Sequence, residues 1–154
     1  MIETSGKRII IKSIYLFFIL IIFLPHLKLR AQCAPGSLSR ECINTISEGY
    51  IYLKSFSIDD QDNTKENIEY TAVMSKDTQY AFKICTSLEG ADGIILTLFD
   101  SNRNKIISNQ EESFIVPEVN YQCASTGIYY IRFTFYESKN RCGGCILSFK
   151  NNQD

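Results

Sequence analysis

Six cysteines are the residues of this chain with the widest range of possible chemistry. Cysteine side chains form disulfides, bind metals or exchange electrons, depending on their spacing and on the compartment. Cys142 and Cys145 form a C-x-x-C pair around two glycines, which permit a tight turn. The pair therefore predicts a local structural disulfide, with redox exchange and metal binding as alternatives. The full set is Cys33, Cys42, Cys85, Cys123, Cys142 and Cys145.

The other cysteines allow several pairings. A Cys33–Cys42 disulfide would close a short N-terminal leader, and a Cys85–Cys123 disulfide would join two predicted strands. A competing pairing links Cys142 or Cys145 to the leader. Spacing alone does not choose among these pairings, but an even number of cysteines in an exported chain predicts three disulfides.

A run of acidic residues after the first predicted strand is a candidate calcium site. Asp59, Asp60 and Asp62 offer the oxygen ligands that calcium prefers. The run lacks the glycine and the distal glutamate of an EF-hand loop. An ordinary solvated loop is the favoured interpretation, so we expect no cofactor, with calcium as the alternative.

Tyrosines are frequent, and most of them are expected to pack in the core or against neighbouring strands. Alternation along the segment 127–136 places Tyr130 and Arg132 on the face opposite Tyr129 and Ile131. Tyr130 and Arg132 are therefore candidates for an exposed binding patch.

Missing residue types restrict the possible functions. His26 is the only histidine of the chain, and it lies in the N-terminal segment. Its removal with that segment would exclude Ser-His-Asp and Cys-His catalysis and zinc sites that use histidine. No enzymatic activity is expected, with carboxylate catalysis as the alternative, although no Asp/Glu pair stands out. After residue 31 the chain has 16 acidic and 11 basic residues, a net charge of −5, which argues against nucleic acid as a partner.

The N-terminal segment has the pattern of an export signal. Basic residues precede an unbroken apolar run at 14–24, and a small residue, Ala31, follows. We expect a signal peptide over 1–31 that is cleaved after Ala31, with an uncleaved anchor as the alternative. After cleavage we expect no membrane span in the mature chain. The export signal predicts a secreted or periplasmic protein of a bacterial envelope.

The rest of the chain reads as short strands with apolar and polar residues in alternation, separated by turn residues. This pattern predicts an all-β fold, an antiparallel β-sandwich of jelly-roll or Ig-like type with about eight strands. We expect a disulfide-stapled leader over 32–47, which has room for one turn of helix, and a sandwich domain over 48–154. The predicted strands are 50–58, 68–74, 79–85, 94–100, 105–108, 119–123, 127–136 and 145–150.

The order of short motifs over residues 50–150 resembles the bacterial pre-peptidase C-terminal domain. The sequence QYAFKI is followed by EGADG, LTLFD, SNRNK, YQCASTGIYYIRF and ILSF. The residues that match best are 98–100, an aspartate-ended strand, and 126–130, a Thr-Gly-Ile-Tyr-Tyr segment. The resemblance implies a small β-sandwich that binds a substrate or a surface in aid of an enzyme.

These observations favour an exported, non-enzymatic binding or accessory domain that recognises a protein or a glycan. One alternative is a periplasmic thiol-disulfide protein that uses Cys142 and Cys145. Another is a small secreted inhibitor or effector.

Overall fold

The computed structural model of the protein describes residues 33–88, 90–112 and 114–151. The predicted signal peptide over 1–31 lies outside the described residues, and so does its alternative, the uncleaved anchor. Within the described ranges, no helix is both long enough and apolar enough to cross a membrane.

One helix and ten strands make up the described chain. Each of the eight predicted strands is present, and no end differs from the prediction by more than three residues. The elements are α1 (Pro35–Ile43), β1 (Ile51–Asp59), β2 (Ile68–Met74), β3 (Thr78–Cys85), β4 (Ile94–Phe99), β5 (Lys105–Ser108), β6 (Gln110–Glu111), β7 (Phe114–Ile115), β8 (Glu118–Gln122), β9 (Gly127–Phe135) and β10 (Cys142–Asn151).

Eight of the strands form two antiparallel four-stranded sheets. The first sheet has the strand order β1-β10-β3-β8, and the second has the order β2-β9-β4-β5. This is the strand order of a jelly roll. The predicted all-β antiparallel sandwich is therefore confirmed, and its type is the jelly roll rather than the Ig-like fold. The sequence does not predict the short β6–β7 hairpin.

Apolar side chains on the inner faces of the two sheets form the core. In β9 the buried residues are Tyr129, Ile131 and Phe133, which confirms the predicted inner face. Aromatic rings meet across the sandwich, where Phe56 of β1 lies 6.5 Å from Phe133. The alternation that predicts the strands thus also selects the core residues.

The leader folds into a longer helix than the single turn expected. Pro35 begins α1 at a position where the missing N–H of proline costs little. The helix packs on the outer face of the first sheet, mainly against β10 and β1. A Cβ atom on Gly144 would collide with the Oγ of Ser39, so this glycine permits the close approach of helix and sheet.

Two disulfides fix the leader to the first sheet. Cys33 bonds to Cys142, and Cys42 bonds to Cys85. The expected Cys33–Cys42 and Cys85–Cys123 disulfides are therefore wrong. The competing prediction, a disulfide between the leader and Cys142 or Cys145, is confirmed for Cys142.

The predicted Cys142–Cys145 disulfide is wrong because both residues lie inside β10. Residues three apart on a strand point to opposite faces of the sheet. Cys142 accordingly faces the leader, while Cys145 packs in the core. The glycines between them belong to the strand and do not form a turn.

The third disulfide is missing because the two remaining cysteines are far apart. Cys123 and Cys145 are buried thiols. Cys145 lies opposite Ile84, and the N–H of Cys123 donates to Thr78 at the other end of β3. Six residues of strand separate these points, a distance of about 20 Å, which is too far for a disulfide. The prediction of three disulfides is therefore wrong, and the described residues form two.

Candidate functional site

Four connections meet at one end of the sandwich, which we call the loop end. They are the β1–β2 loop, the β3–β4 loop, the segment from β5 to β8 and the β9–β10 loop. They meet because the strands of both sheets run antiparallel and each of these connections crosses from one sheet to the other. Residues that are far apart in the chain therefore become neighbours.

Three of these connections enclose a groove of about 820 Å³, which we call the loop-end groove. Its volume is in the range of ligand-binding clefts in proteins. Leu88 comes from the β3–β4 loop, Phe114 from the β6–β7 hairpin and Tyr136 from the β9–β10 loop. Asp92, Gly93, Gln110, Glu112, Ile115, Glu137 and Lys139 complete the lining.

Asn109 holds the hairpin that forms one wall of the groove. Its side chain is fully buried, and its Oδ1 accepts the N–H of Leu96 at 2.7 Å. Its Nδ2 donates to the carbonyl oxygens of Ile94 and Val116 at 3.1 and 2.9 Å. The amide thus ties β4 to the chain on both sides of the hairpin, since a buried amide is stable only when its hydrogen bonds are made.

The β9–β10 loop forms the opposite wall and is held by the β3–β4 loop. The carboxylate of Asp92 accepts the backbone N–H groups of Lys139 and Asn140, each at 3.2 Å. Gly93 has a φ of +68°, and a Cβ atom there would collide with the carbonyl oxygen of Tyr136. A glycine at this position therefore lets the two loops lie in contact.

An ion pair joins the same β9–β10 loop to the β1–β2 loop. Asp60 is 1% exposed, and its Oδ2 accepts hydrogen bonds from Nε and Nη2 of Arg141. Its Oδ1 accepts the N–H groups of Thr64 and Lys65 at 2.9 and 2.8 Å. Burial raises the pKa of Asp60, but the hydrogen bonds from Arg141, Lys65 and Thr64 outweigh it, and the net pKa is lowered.

These contacts change the interpretation of the acidic loop. The Asp60 carboxylate is hydrogen-bonded to the Arg141 guanidinium and to two backbone N–H groups, so it is not available to a calcium ion. The described residues contain no group of three or more acidic, histidine or cysteine side chains arranged to hold a metal ion. Calcium binding through Asp59 and Asp62 alone stays a prediction.

The groove presents apolar side chains to solvent. Leu88, Phe114 and Tyr136 are 41%, 54% and 57% exposed. Glu112 and Glu137 lie beside them, with Lys139 as the cation among the described lining residues. A groove that combines exposed apolar side chains with charged groups is a candidate surface for binding another molecule.

Tyr130 and Arg132 lie elsewhere, on the outer face of the second sheet. Arg132 donates to Glu69 and lies over the ring of Phe99, 4.7 Å from its centre. The guanidinium of Arg103 lies 3.5 Å from the centre of the Tyr130 ring and also donates to Glu69. The two candidates therefore interact with neighbouring side chains, and a binding role for them stays a prediction.

Arg103, Arg132, Tyr130, Phe99 and Glu69 form an arginine–aromatic cluster that lowers the pKa of its one carboxylate, Glu69. The hydrogen bond from Arg103 lowers the pKa of Glu69, burial opposes it, and the hydrogen bond from Arg132 adds to the lowering. Glu69 is thus held as a carboxylate between two guanidinium groups. Such a cluster stabilises the surface of a sheet without needing a ligand.

The thiols do not form a redox pair. Cys142 is oxidised in a disulfide with Cys33, and burial raises the pKa of the Cys145 thiol. The Sγ of Cys123 is also buried and lies 3.4 Å from the hydroxyl of Tyr129. Redox exchange requires an accessible, acidic thiol, so the geometry contradicts the prediction of a thiol-disulfide protein that uses Cys142 and Cys145.

Fold and groove together define a disulfide-bonded jelly-roll protein with an open cleft between its loops. No family model matches the chain, and no curated protein sequence matches it. The resemblance to pre-peptidase C-terminal domains therefore stays a prediction.

Among solved structures, the chain is similar to the crystal structure of PliG from Aeromonas hydrophila, a periplasmic lysozyme inhibitor of g-type lysozyme. The two chains are 18% identical, and the match covers 68% of this chain and 90% of that chain with a TM-score of 0.40.

Proposed function

We propose that the protein is an exported, non-enzymatic binding module that recognises a protein partner through the loop-end groove. The observation that carries the proposal is the joint exposure of Leu88, Phe114 and Tyr136 in one groove. Apolar side chains that share a concave surface gain free energy when a partner removes them from water.

The walls of the groove support a binding role. Asn109 and Asp92 hold the two opposite walls through hydrogen bonds to main-chain groups. A surface that is held in shape before binding loses less conformational entropy when a partner arrives. The groove is thus suited to recognise a partner without a large rearrangement.

The two disulfides support the proposal that the protein is exported from the cytoplasm. Cys33–Cys142 and Cys42–Cys85 are bonds of the kind that persist in oxidising surroundings, outside the cytoplasm. With the predicted signal peptide over 1–31, they favour a secreted or periplasmic protein at a bacterial envelope.

A binding role without catalysis fits the side chains that line the groove. The Asp92 carboxylate accepts hydrogen bonds from backbone N–H groups of the β9–β10 loop, and the described residues include no histidine. The exposed groups that are left, chiefly apolar side chains and glutamates, are suited to recognise a partner.

A protein suits the groove better than a glycan. Leu88 and Ile115 are aliphatic and complement apolar side chains of a partner. A sugar platform needs open aromatic faces. The rings of Tyr130 and Phe99, outside the groove, each lie under an arginine, whereas Phe114 and Tyr136 in the groove are open. A glycan partner is therefore an outcome of the test below.

Site-specific photo-cross-linking in producing cells tests the proposal. A photoreactive phenylalanine analogue is placed at Phe114, and in a matched control at Ile128, which is 51% exposed on the second sheet. We expect a discrete protein adduct from position 114 and none from 128. Excess unlabelled protein should suppress this adduct, and excess protein with Phe114→Ala and Tyr136→Ala should not.

Three results would overturn the proposal. The first is the same adducts from positions 114 and 128, and the second is no protein adduct from 114. The third is glycan binding that is lost in the Phe114→Ala, Tyr136→Ala protein while no protein adduct forms. If the cross-linked partner is an enzyme, its rate with and without this protein distinguishes an inhibitor from an accessory domain.

A further inference from the structure

Two glutamates of the loop-end groove lack the ion pairs that Asp60 and Glu118 form at the same end of the sandwich. Asp60 is paired with Arg141, and Glu118 lies 3.4 Å from Lys83. In contrast, Glu112 and Glu137 form no hydrogen bond or ion pair with any other residue in the described ranges. Two carboxylates thus face the groove without an ion pair, and the described lining contains one cation, Lys139, against them.

The backbone at these two positions is also unusual. Glu112 has a φ of +30° and Glu137 a φ of +51°, a region where glycine or asparagine is the common residue. A glutamate gains nothing from this conformation by itself. The two side chains are nevertheless presented at the margin of an apolar surface, one from each wall of the groove.

We propose that the groove binds a cationic, apolar segment of a basic protein, in which a lysine or arginine lies next to a leucine or an aromatic residue. This inference rests on the proposed function and deepens it by naming the class of partner. The apolar side chain packs on Phe114 and Leu88 while the cation meets Glu112 and Glu137. Charge complementarity selects this occupant, because a neutral segment would leave both carboxylates desolvated and unpaired.

The side chains of lysine and arginine fit the mixed character of the groove. Each has an apolar stem that covers hydrophobic surface and a charged end that reaches a carboxylate. The exposed ring of Tyr136 offers a face for the same cation. The excess of acidic over basic residues after position 31 attracts a basic protein over a longer range.

Peptide binding to the purified protein tests the inference. The probes are a blocked seven-residue peptide of alternating lysine and leucine and a matched peptide with glutamate in place of lysine. Amide chemical shifts of the ¹⁵N-labelled protein report both the affinity and the location. We expect the lysine peptide to shift residues 110–115 and 136–139, and the glutamate peptide to shift none of them.

Charge variants complete the test. Glu112→Gln with Glu137→Gln should weaken the lysine peptide by about tenfold, and salt at about 0.5 M should weaken it for the unaltered protein. Glu111→Gln, on the same hairpin but not in the groove lining, is the matched control and should leave the affinity unchanged. Equal thermal unfolding of all three proteins excludes a folding defect.

The two proposals fail in different ways. If both peptides bind equally, or if the double variant binds as tightly as the control, the cationic partner is wrong. A cross-link from position 114 that persists in that case leaves the protein-binding groove intact with a different chemistry. If the cross-link is also absent, the proposed function itself is wrong.

Discussion

At the scale of single residues, the Asp60–Arg141 ion pair joins loops that are 81 residues apart in the chain. Asp60 is buried and Arg141 is mostly buried, and the guanidinium also lies 4.1 Å from the centre of the Phe135 ring. Removing one member of such a pair leaves a charge without its partner in poor contact with water. The contact therefore holds the β9–β10 loop, and with it one wall of the groove, against the sandwich.

Asp60→Asn should lower the free energy of unfolding at pH 7 by about 3 kcal/mol, because Arg141 loses its counter-charge. Urea denaturation measures the change. Asp62→Asn is the matched control in the same loop, where the carboxylate contacts only the hydroxyl of Thr64 among the described residues, and it should cost less than about 0.5 kcal/mol. Equal losses in the two variants would contradict the role given to Asp60.

The same pair predicts how stability depends on pH. The folded pKa of Asp60 is lowered, so its contribution is present above its unfolded pKa of about 4 and is lost as the pH falls through the folded value. The unaltered protein should therefore lose stability below about pH 4. Asp60→Asn should lose less over the same range. A steeper fall in the variant would have the wrong sign for a lowered pKa.

At the scale of elements, alternation predicts most of the eight strands of the two sheets, and an almost wholly apolar run predicts β4. Each strand has one face in the core, and period-2 alternation reports that face from local sequence. Helix α1 is under-predicted, because its nine residues are stabilised by the sheet beneath and by the disulfides at Cys33 and Cys42. Such tertiary contacts leave no periodic signal in a short segment.

Packing of α1 on β10 depends on a residue without a side chain. A Cβ atom at Gly144 would collide with Ser39 Oγ and lie 3.0 Å from the carbonyl oxygen of Pro35. Gly144→Ala should therefore destabilise the protein by about 1–3 kcal/mol, measured by urea denaturation, because the helix must move away from the sheet.

Two further variants define this effect. Ser39→Ala in the same protein should recover part of the loss, since it removes the atom that collides. Gly36→Ala lies in the same helix with no atom within 4 Å of the added Cβ, and it should leave stability unchanged or slightly higher. A loss at Gly36 as large as that at Gly144 would exclude the steric explanation.

At the scale of the whole molecule, the two disulfides join distant parts of the chain. Cys33–Cys142 spans 109 residues and Cys42–Cys85 spans 43. In the chain-entropy treatment, closing loops of these lengths contributes about 5 and about 4 kcal/mol when each is taken alone. Both disulfides connect the leader to the first sheet, so they keep α1 in place as well as limiting the unfolded chain.

Thiol titration checks this pairing. The native protein should show no reactive thiol, because Cys123 and Cys145 are buried. Unfolding without a reductant should expose two thiols for each chain, and mass spectrometry should find the linked peptides of Cys33 with Cys142 and of Cys42 with Cys85. If no thiol appears after unfolding, Cys123 and Cys145 are oxidised in a third disulfide, and the two-disulfide pairing is wrong.

The amino-acid sequence by itself determined the strands, the sandwich and the expectation of an oxidising compartment, because these depend on local alternation and on residue types. It did not determine which cysteines pair, since Gly143 and Gly144 suit a turn as well as a strand beneath a helix. It also gave no sign of the groove. Leu88, Phe114 and Tyr136 lie in separate loops, and only the crossing of strands between two sheets brings them to one end.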